Sequence, residues 1–227
     1  MIHWDIKDNI GIISMDNNHG NMLSLDDLCF LQNILLEKVQ FVDGVILTGL
    51  NHSFCTGLKL ENETAEDSLR LLNETLYMMY SLDKPLTIAL SGHAIGAGFL
   101  MLCCADYIVM SENAKAKFGL PEVKLNLALD KFMMLLLATC LPNYIIKNLV
   151  YLGEYVSYHS LLEWNMINAI QKEDIVYACE KYIRSLHLGS SFGICKRNLR
   201  YSYSVIMNDM IQQNSYNELV DLFNEQK

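Results

Sequence analysis

The sequence contains little proline and few charged residues. Only 3 of its 227 residues are proline and 19% are charged, whereas 52% are hydrophobic. Disordered chains are rich in proline and charge and poor in apolar residues, so this composition excludes a largely disordered protein. A chain of this length fits one domain of ordinary size, and it can bury a core without disulfide or metal staples.

A surplus of positive charge is also missing, since the formal net charge is −9. Nonspecific binding to nucleic acids or to anionic membranes needs a cationic face. The sequence therefore predicts neither a nucleic-acid partner nor a membrane-surface partner. Anionic ligands remain compatible with this charge, because they need only a local group of Lys or Arg side chains.

Paired cysteine motifs and an apolar N-terminus are missing as well. The 7 cysteines form no C-x-x-C pair, and the 6 histidines show no metal-ligand spacing. Cys103 and Cys104 are adjacent within a predicted helix, so their side chains should diverge. The N-terminal run MIHWDIKDN carries acidic residues and has no apolar core, which argues against a signal peptide. We expect a cytoplasmic protein with reduced thiols and no bound metal.

One uncharged segment, residues 85–105, is as long as a membrane span. The first part of this segment contains β-branched residues. Its middle contains polar or flexible residues, namely Ser91, Gly92, His93, Gly96 and Gly98. A buried strand, a turn and a buried helix explain this pattern better than a span does. The sequence predicts no membrane insertion.

Alternating strand and helix patterns occupy the first half of the chain. Helical patterns begin after Ser24, cover residues 66–80 and follow the glycines up to Ala105. From Asp130 onward every long segment has helical periodicity. The sequence therefore predicts an α/β part, residues 1–125, and a helical region, residues 126–227. The predicted strands are residues 4–7, 11–16, 45–48, 86–90, 107–110 and 116–118.

Two glycine-containing turns follow predicted strands. The run GHAIGAG, residues 92–98, matches neither the dinucleotide-binding fingerprint nor a P-loop. Its glycines allow a tight turn and close approach of a ligand, and they leave the first N–H groups of the next helix free. The run FCTGL, residues 54–58, is a second such turn. Together the turns could present two N–H groups to a carbonyl oxygen that becomes an enolate, although each alone is also typical of tight packing.

Glu122 is the candidate proton-transfer group. It follows Pro121 in the apolar run FGLPE, and Lys124 is the one cationic residue close to it in sequence. A carboxylate among apolar neighbours has a raised pKa, which suits proton transfer near neutral pH. The alternative interpretation is a solvated loop residue.

In this order, these pieces resemble the crotonase (enoyl-CoA hydratase/isomerase) superfamily. The likeness covers residues 1–125 well and the remainder loosely. It implies an α/β fold, a spiral of ββα units with a C-terminal helical region, and action on acyl thioesters. The matching segments are residues 21–24, 54–58, 84–85, 91–98, 104–107 and 118–122.

The resemblance also implies roles for individual residues. The backbone N–H groups of Leu58 and Ala97 would form the oxyanion hole, and Glu122 would carry the proton. No metal or redox cofactor is implied, because the substrate is carried as a coenzyme A or acyl-carrier-protein thioester. The residues expected to contact that thioester are Thr56, Leu58, Lys59, Leu60 and Ala97.

The sequence departs from the hydratase pattern at Leu100. Hydratases of the family carry two glutamates, one where Leu100 stands and one at the position of Glu122. A single carboxylate suits a 1,3-proton shift, and Δ3,Δ2-enoyl-CoA isomerases resemble this chain there, so the sequence predicts an isomerase. Two alternatives stay open: a hydratase, dehydratase or decarboxylase acting on a carrier-linked acyl chain, and a binding protein that has lost the chemistry.

Further departures concern assembly and closure of the pocket. The resemblance implies a homotrimer or a dimer of trimers, with residues 126–227 serving trimerisation and pocket closure. Lys59 stands where the family has Asp, and residues 127–130 replace a glycine-rich turn. The C-terminus looks shortened, since Lys227 lies about where the closing helix of typical members would begin.

Overall fold

The computed structural model describes residues 1–17, 19–61, 64–112, 115–172 and 174–225, and these build two sheets. The strands are β1 Ile2–Lys7, β2 Ile10–Met15, β3 Gly44–Gly49, β4 Ser53–Cys55, β5 Leu86–Leu90, β6 His93–Ile95, β7 Tyr107–Ser111, β8 Phe118–Gly119 and β9 Ala169–Gln171. A six-stranded sheet has the order β1-β2-β3-β5-β7-β9, and a three-stranded sheet has the order β4-β6-β8. Among the pairs of these described strands, β1–β2 is antiparallel and the others are parallel.

The central strands are mostly apolar because both faces of the large sheet are covered. Every residue of β3 and of β5 is buried. One face contributes to the main core, and the other packs under a helix near Cys179 and Ile183. The helices are α1 Leu25–Asn33, α2 Ala65–Tyr80, α3 Ala97–Leu102, α4 Lys131–Ala138, α5 Asn143–Leu152, α6 Tyr158–Glu163, α7 Ile175–Ser185, α8 Ser190–Gln212 and α9 Asn217–Glu225.

Four local differences separate the structure from the sequence prediction, and the first is β4, Ser53–Cys55, which lies outside the predicted strands. The region predicted to be helical also contributes β9, which pairs with β7 in the large sheet. The predicted glycine turn contains a strand, β6, because its backbone pairs with β4 and β8. The helix expected to reach Ala105 ends earlier, at Leu102. Short strands such as β6 and β9 are specified by their neighbours, so local patterns identify them poorly.

A buried ion cluster fixes α8 to the core at Asp106. The Lys196 ammonium and the Arg200 guanidinium both donate to the Asp106 carboxylate, and the Leu86 N–H donates to it as well. Arg200 also lies over the Tyr80 ring, 4.5 Å from its centroid. Burial lowers the pKa of Lys196 to about 8. A buried cluster with this many partners holds the helical region in one orientation on the sheet.

No helix within the described residues has the length and apolar content that crossing a bilayer would require. The uncharged segment that matched a span in length is instead divided between β5, β6 and α3. The division predicted from its glycines and polar residues is therefore correct.

Candidate active site

The three-stranded sheet brings three loops to one place. Its strands are parallel, so the residues that follow each strand emerge at the same edge. Leu58 lies in the loop after β4, Ala97 begins α3 just after β6, and Glu122 lies in the loop after β8. The Gly96 N–H donates to the Gly119 carbonyl over 3.0 Å, which joins the second loop to the third. Residues far apart in sequence therefore meet at one edge.

Two backbone N–H groups at this edge are available to a ligand. The Leu23 N–H donates to the Gly57 carbonyl at 2.9 Å and the Lys59 N–H donates to the Leu23 carbonyl at 2.8 Å, so the loop is held on both sides of Leu58. Ala97 is the first residue of α3, where an N–H has no acceptor within the helix. Neither the Leu58 nor the Ala97 N–H donates to any other residue that the structure describes.

Glycines allow this close approach. A Cβ at Gly98 would lie 2.1 Å from the Cys55 carbonyl oxygen, so only glycine lets α3 pack against the end of β4. Gly96 has a φ of +58°, and a Cβ there would lie 2.9 Å from Glu122 Oε1. The glycine at position 96 therefore gives the backbone its turn and leaves room for the carboxylate.

The Glu122 carboxyl is partly buried, and one of its two oxygens has no partner that the structure describes. Its Oε2 atom is buried and has no hydrogen-bond partner among the described residues. Loss of solvent raises the pKa of Glu122 to about 7 from an ordinary 4.5. A carboxyl with this pKa can both accept and return a proton near neutral pH, as general acid–base chemistry requires.

These groups face one apolar cavity of about 190 Å³. Among the described lining residues, Glu122 is the one titratable side chain. Leu100, which the resemblance places where hydratases carry a second glutamate, also lines the cavity and is 1% exposed. The rest of the wall is mainly aliphatic and includes Leu60, Leu69, Leu72, Leu127, Leu129, Met133, Leu219 and Phe223. The site can hold an uncharged acyl group beside one proton-transfer group.

The structure brings most of the predicted site residues together. Thr56, Leu58, Leu60, Ala97 and Glu122 all line the cavity. The Lys59 side chain does not line it: its ammonium is exposed and pairs with Glu61 at 2.6 Å. Contact between Lys59 and a coenzyme A thioester stays a prediction.

Sequence reasoning missed the part of the wall that the helices supply. Met133 of α4 and Leu219 and Phe223 of α9 line the cavity. Helical periodicity identified an apolar face on these segments but could not say which apolar residues face the cavity. Helix α9 thus lies against the cavity, while pocket closure by residues 126–227 and a shortened C-terminus stay predictions.

Candidate metal ligands do not cluster in the described ranges, where no group of three or more His, Cys, Asp or Glu side chains could hold a metal ion. Among the described residues that line the cavity, Thr56 contributes a side-chain hydroxyl and Glu122 a side-chain carboxyl, beside the Leu58 and Ala97 N–H groups. Such a set suits an oxyanion and a proton rather than a cation.

Known proteins resemble this chain in sequence. The profile of the Enoyl-CoA hydratase/isomerase family matches residues 5–188. Carnitinyl-CoA dehydratases of Salmonella paratyphi B and Salmonella heidelberg are each 38% identical to this chain over 92 residues. That match covers 40% of this chain and 34% of the relative, so it spans about a third of these curated relatives.

Solved structures share the fold. An enoyl-CoA hydratase of Bacillus halodurans superposes with a TM-score of 0.84 at 19% identity, covering 98% of this chain and 94% of that one. An enoyl-CoA isomerase of Mycobacterium tuberculosis superposes with a TM-score of 0.83 at 23% identity, and the match covers 94% of this chain and 96% of that one. The predicted crotonase-type α/β fold is confirmed. Since the family match extends over residues 5–188 and includes all three loops that meet at the cavity, the chain belongs to the enoyl-CoA hydratase/isomerase family.

Proposed function

We propose that this protein shifts the double bond of an enoyl thioester by a 1,3-proton transfer through an enolate. One observation carries the proposal: among the described lining residues, the cavity presents a single titratable side chain, Glu122, beside two free N–H groups. A double-bond shift needs one group that removes a proton and returns it elsewhere on the same molecule. Adding water needs further groups to hold and deprotonate the water.

The proposed reaction starts when the thioester oxygen accepts hydrogen bonds from the Leu58 and Ala97 N–H groups. The Glu122 carboxylate takes a proton from C2 of a 3-enoyl thioester, and the electron pair moves onto the thioester oxygen as a dienolate. The protonated Glu122 then returns the proton to C4, which forms the 2-enoyl product. Loss of one such N–H donor typically costs about 3–4 kcal/mol of transition-state stabilisation.

Leu100 supports isomerisation over hydration. Its side chain is fully apolar, and it forms part of the wall where a second carboxylate would be needed to bind and activate water. Neighbouring aliphatic side chains exclude water from the enolate and so favour return of the proton to carbon. The family name indicates coenzyme A thioesters as substrates, and we propose the same for this chain, with an acyl-carrier-protein thioester as the alternative carrier.

A second candidate is the dehydration of a 3-hydroxyacyl thioester. It is favoured by the 38% identity with carnitinyl-CoA dehydratases over 92 residues. Dehydration also passes through an enolate and could use the same two N–H groups. It differs in that a hydroxyl leaves, so an acid must protonate the departing oxygen.

Isotope labelling of the wild-type protein separates the two candidates. With 3-enoyl-CoA substrates in deuterium oxide, we expect formation of the 2-enoyl isomer with exchange at C2 or C4, measured by NMR. With 2-enoyl-CoA in oxygen-18 water, we expect no labelled 3-hydroxyacyl product by mass spectrometry. Rapid oxygen-18 incorporation without double-bond migration would overturn the isomerase proposal and favour the hydratase or dehydratase.

The activity should depend on the ionisation of Glu122. Proton removal needs the carboxylate, and burial places the pKa of Glu122 at about 7. We therefore expect kcat/KM for a 3-enoyl thioester to rise about tenfold per pH unit below this pKa and to level off above it. A pH–rate profile measured with the free substrate checks this. A flat profile between about pH 5 and pH 8 would remove Glu122 as the base.

Assembly and location stay predictions. Exposed apolar side chains around the third loop and α5 support self-association, as expected of a homotrimer or dimer of trimers. They include Val123, Leu125, Tyr144, Tyr151 and Leu152. The cytoplasmic location rests on the sequence alone.

A further inference from the structure

We propose that Asp130 is a positioning residue that holds the C-terminal helix α9 over the cavity through Ser215, and that this contact sets the preference for long acyl chains. The proposal rests on the proposed acyl-thioester function. Asp130 is 3% exposed and lies at the N-terminus of α4. It stands in the segment that replaces the family's glycine-rich turn, so the resemblance alone assigns it no role.

The Asp130 carboxylate joins three elements. Its Oδ1 atom accepts from the Met133 N–H at 2.8 Å and so caps α4. Its Oδ2 atom accepts from Asn73 Nδ2 of α2 at 2.6 Å and from Ser215 Oγ, in the turn before α9, at 2.9 Å. A buried carboxylate with several donors makes strong, charge-assisted hydrogen bonds. One side chain therefore fixes the relative positions of α2, α4 and α9.

Each of these helices supplies part of the cavity wall. The wall includes Leu69 and Leu72 from α2, Met133 from α4, and Leu219 and Phe223 from α9. These residues lie on helices, whereas the two N–H groups and the carboxyl that contact the thioester end lie on the β4, β6 and β8 loops. The part of the cavity wall that Asp130 positions is therefore separate from the groups that would contact the thioester.

Two further contacts of α9 are weaker or less specific than the hydrogen bond from Ser215 to Asp130. Lys131 and Glu218 form an ion pair at 3.0 Å, but both side chains are largely exposed, and exposed pairs contribute little. Leu219 is buried and attracts α9 to the protein without setting its exact position. Hydrogen bonds are directional, so the Ser215–Asp130 contact constrains where Leu219 and Phe223 lie.

A test compares Ser215→Ala with Gln213→Ala. Gln213 lies in the same turn, is exposed and bonds to Asp209 rather than to Asp130. In Ser215→Ala we expect decanoyl-CoA to bind about tenfold more weakly by calorimetry, with hexanoyl-CoA changed less than about twofold, because only the longer chain relies on the helical wall. For decenoyl-CoA turnover, KM should rise while kcat stays unchanged. Gln213→Ala should match the wild type.

A second variant, Asp130→Asn, keeps an N-cap side chain for α4 but replaces one acceptor with a donor. Asp130→Asn should weaken decanoyl-CoA binding more than Ser215→Ala does. Hydrogen exchange of residues 217–225 should quicken in both variants without ligand. Equal weakening for both chain lengths, or unchanged exchange, would overturn the proposal. If the wild type binds acyl-CoA but turns over no enoyl thioester, the proposed function fails while the binding and exchange results still decide the role of Asp130.

Discussion

Replacing Glu122 with Gln is expected to abolish double-bond migration. Gln is close to Glu in size but cannot take a proton from carbon, and no other described cavity residue can replace it as a base. We expect the turnover of 3-enoyl-CoA to fall by at least about a thousandfold, since general base catalysis typically contributes 10²–10⁴. Deuterium exchange at C2 and C4, measured by NMR, should disappear with it.

The same change should make the protein more stable above neutral pH. The folded state raises the pKa of Glu122 to about 7 from 4.5, so between these values the folded protein binds more protons than the unfolded chain. Its stability therefore falls as pH rises through this window. Glu122→Gln removes the buried charge and should gain on the order of 2 kcal/mol at pH 8, with the gain shrinking toward pH 5.

Urea unfolding at both pH values measures this gain, and it also shows that lost activity does not come from unfolding. Glu163→Gln provides the control, because Glu163 is exposed at the end of α6 and does not line the cavity. That variant should keep wild-type turnover and show no pH-dependent gain. Wild-type exchange rates in Glu122→Gln would show that another group moves the proton.

Replacing Gly98 with Ala is expected to have the second-largest effect. The added Cβ would lie 2.1 Å from the Cys55 carbonyl oxygen, a backbone atom that cannot move out of the way cheaply. Helix α3 must then shift away from the end of β4, which separates the Ala97 N–H from the Leu58 N–H. We expect kcat to fall by about 10²–10³, as when one oxyanion donor is lost, and stability to fall by about 1–3 kcal/mol.

Turnover of 3-enoyl-CoA and urea unfolding measure the two effects. Gly189→Ala is the control, because a Cβ there meets only Ser191 Oγ at 3.9 Å. It should keep the wild-type kcat and lose less than about 1 kcal/mol, since position 189 caps α8. A folded Gly98→Ala protein with wild-type kcat would show that the separation of the two N–H groups does not limit the reaction.

Local sequence patterns predicted much of the large sheet. β3 and β5 are short apolar runs that end at turn residues, and a strand buried on both faces has this composition wherever it occurs. The structure places β5 at Leu86–Leu90, as the pattern predicts. The structure differs from the prediction at β4, β6 and β9, three-residue strands whose pairing partners lie in other parts of the chain.

The sequence could predict the residues that supply the N–H groups and the carboxyl of the candidate site. It could not predict which aliphatic residues form the wall of the cavity. Gly96 and Gly98 indicate a close backbone approach, and Glu122 in an apolar run indicates a raised pKa. Each pattern alone also fits tight packing or a solvated loop, so the order of the motifs and the family resemblance were needed to predict their roles. Leu219 and Leu199 show why the wall could not be identified. Both are leucines in C-terminal helices, yet Leu219 lines the cavity at 7% exposure and Leu199 is 83% exposed.

The sequence by itself determined the chemistry available to this protein: a run of glycines, one carboxylate in an apolar segment, and Leu100 in place of a second carboxylate. These are properties of residue type and local spacing. Only the tertiary structure decided that the loops after β4, β6 and β8 meet at one cavity, and that Asp130 and Ser215 hold α9 against it. Such contacts join residues far apart in the chain, so they depend on strand pairing and helix packing rather than on any local pattern.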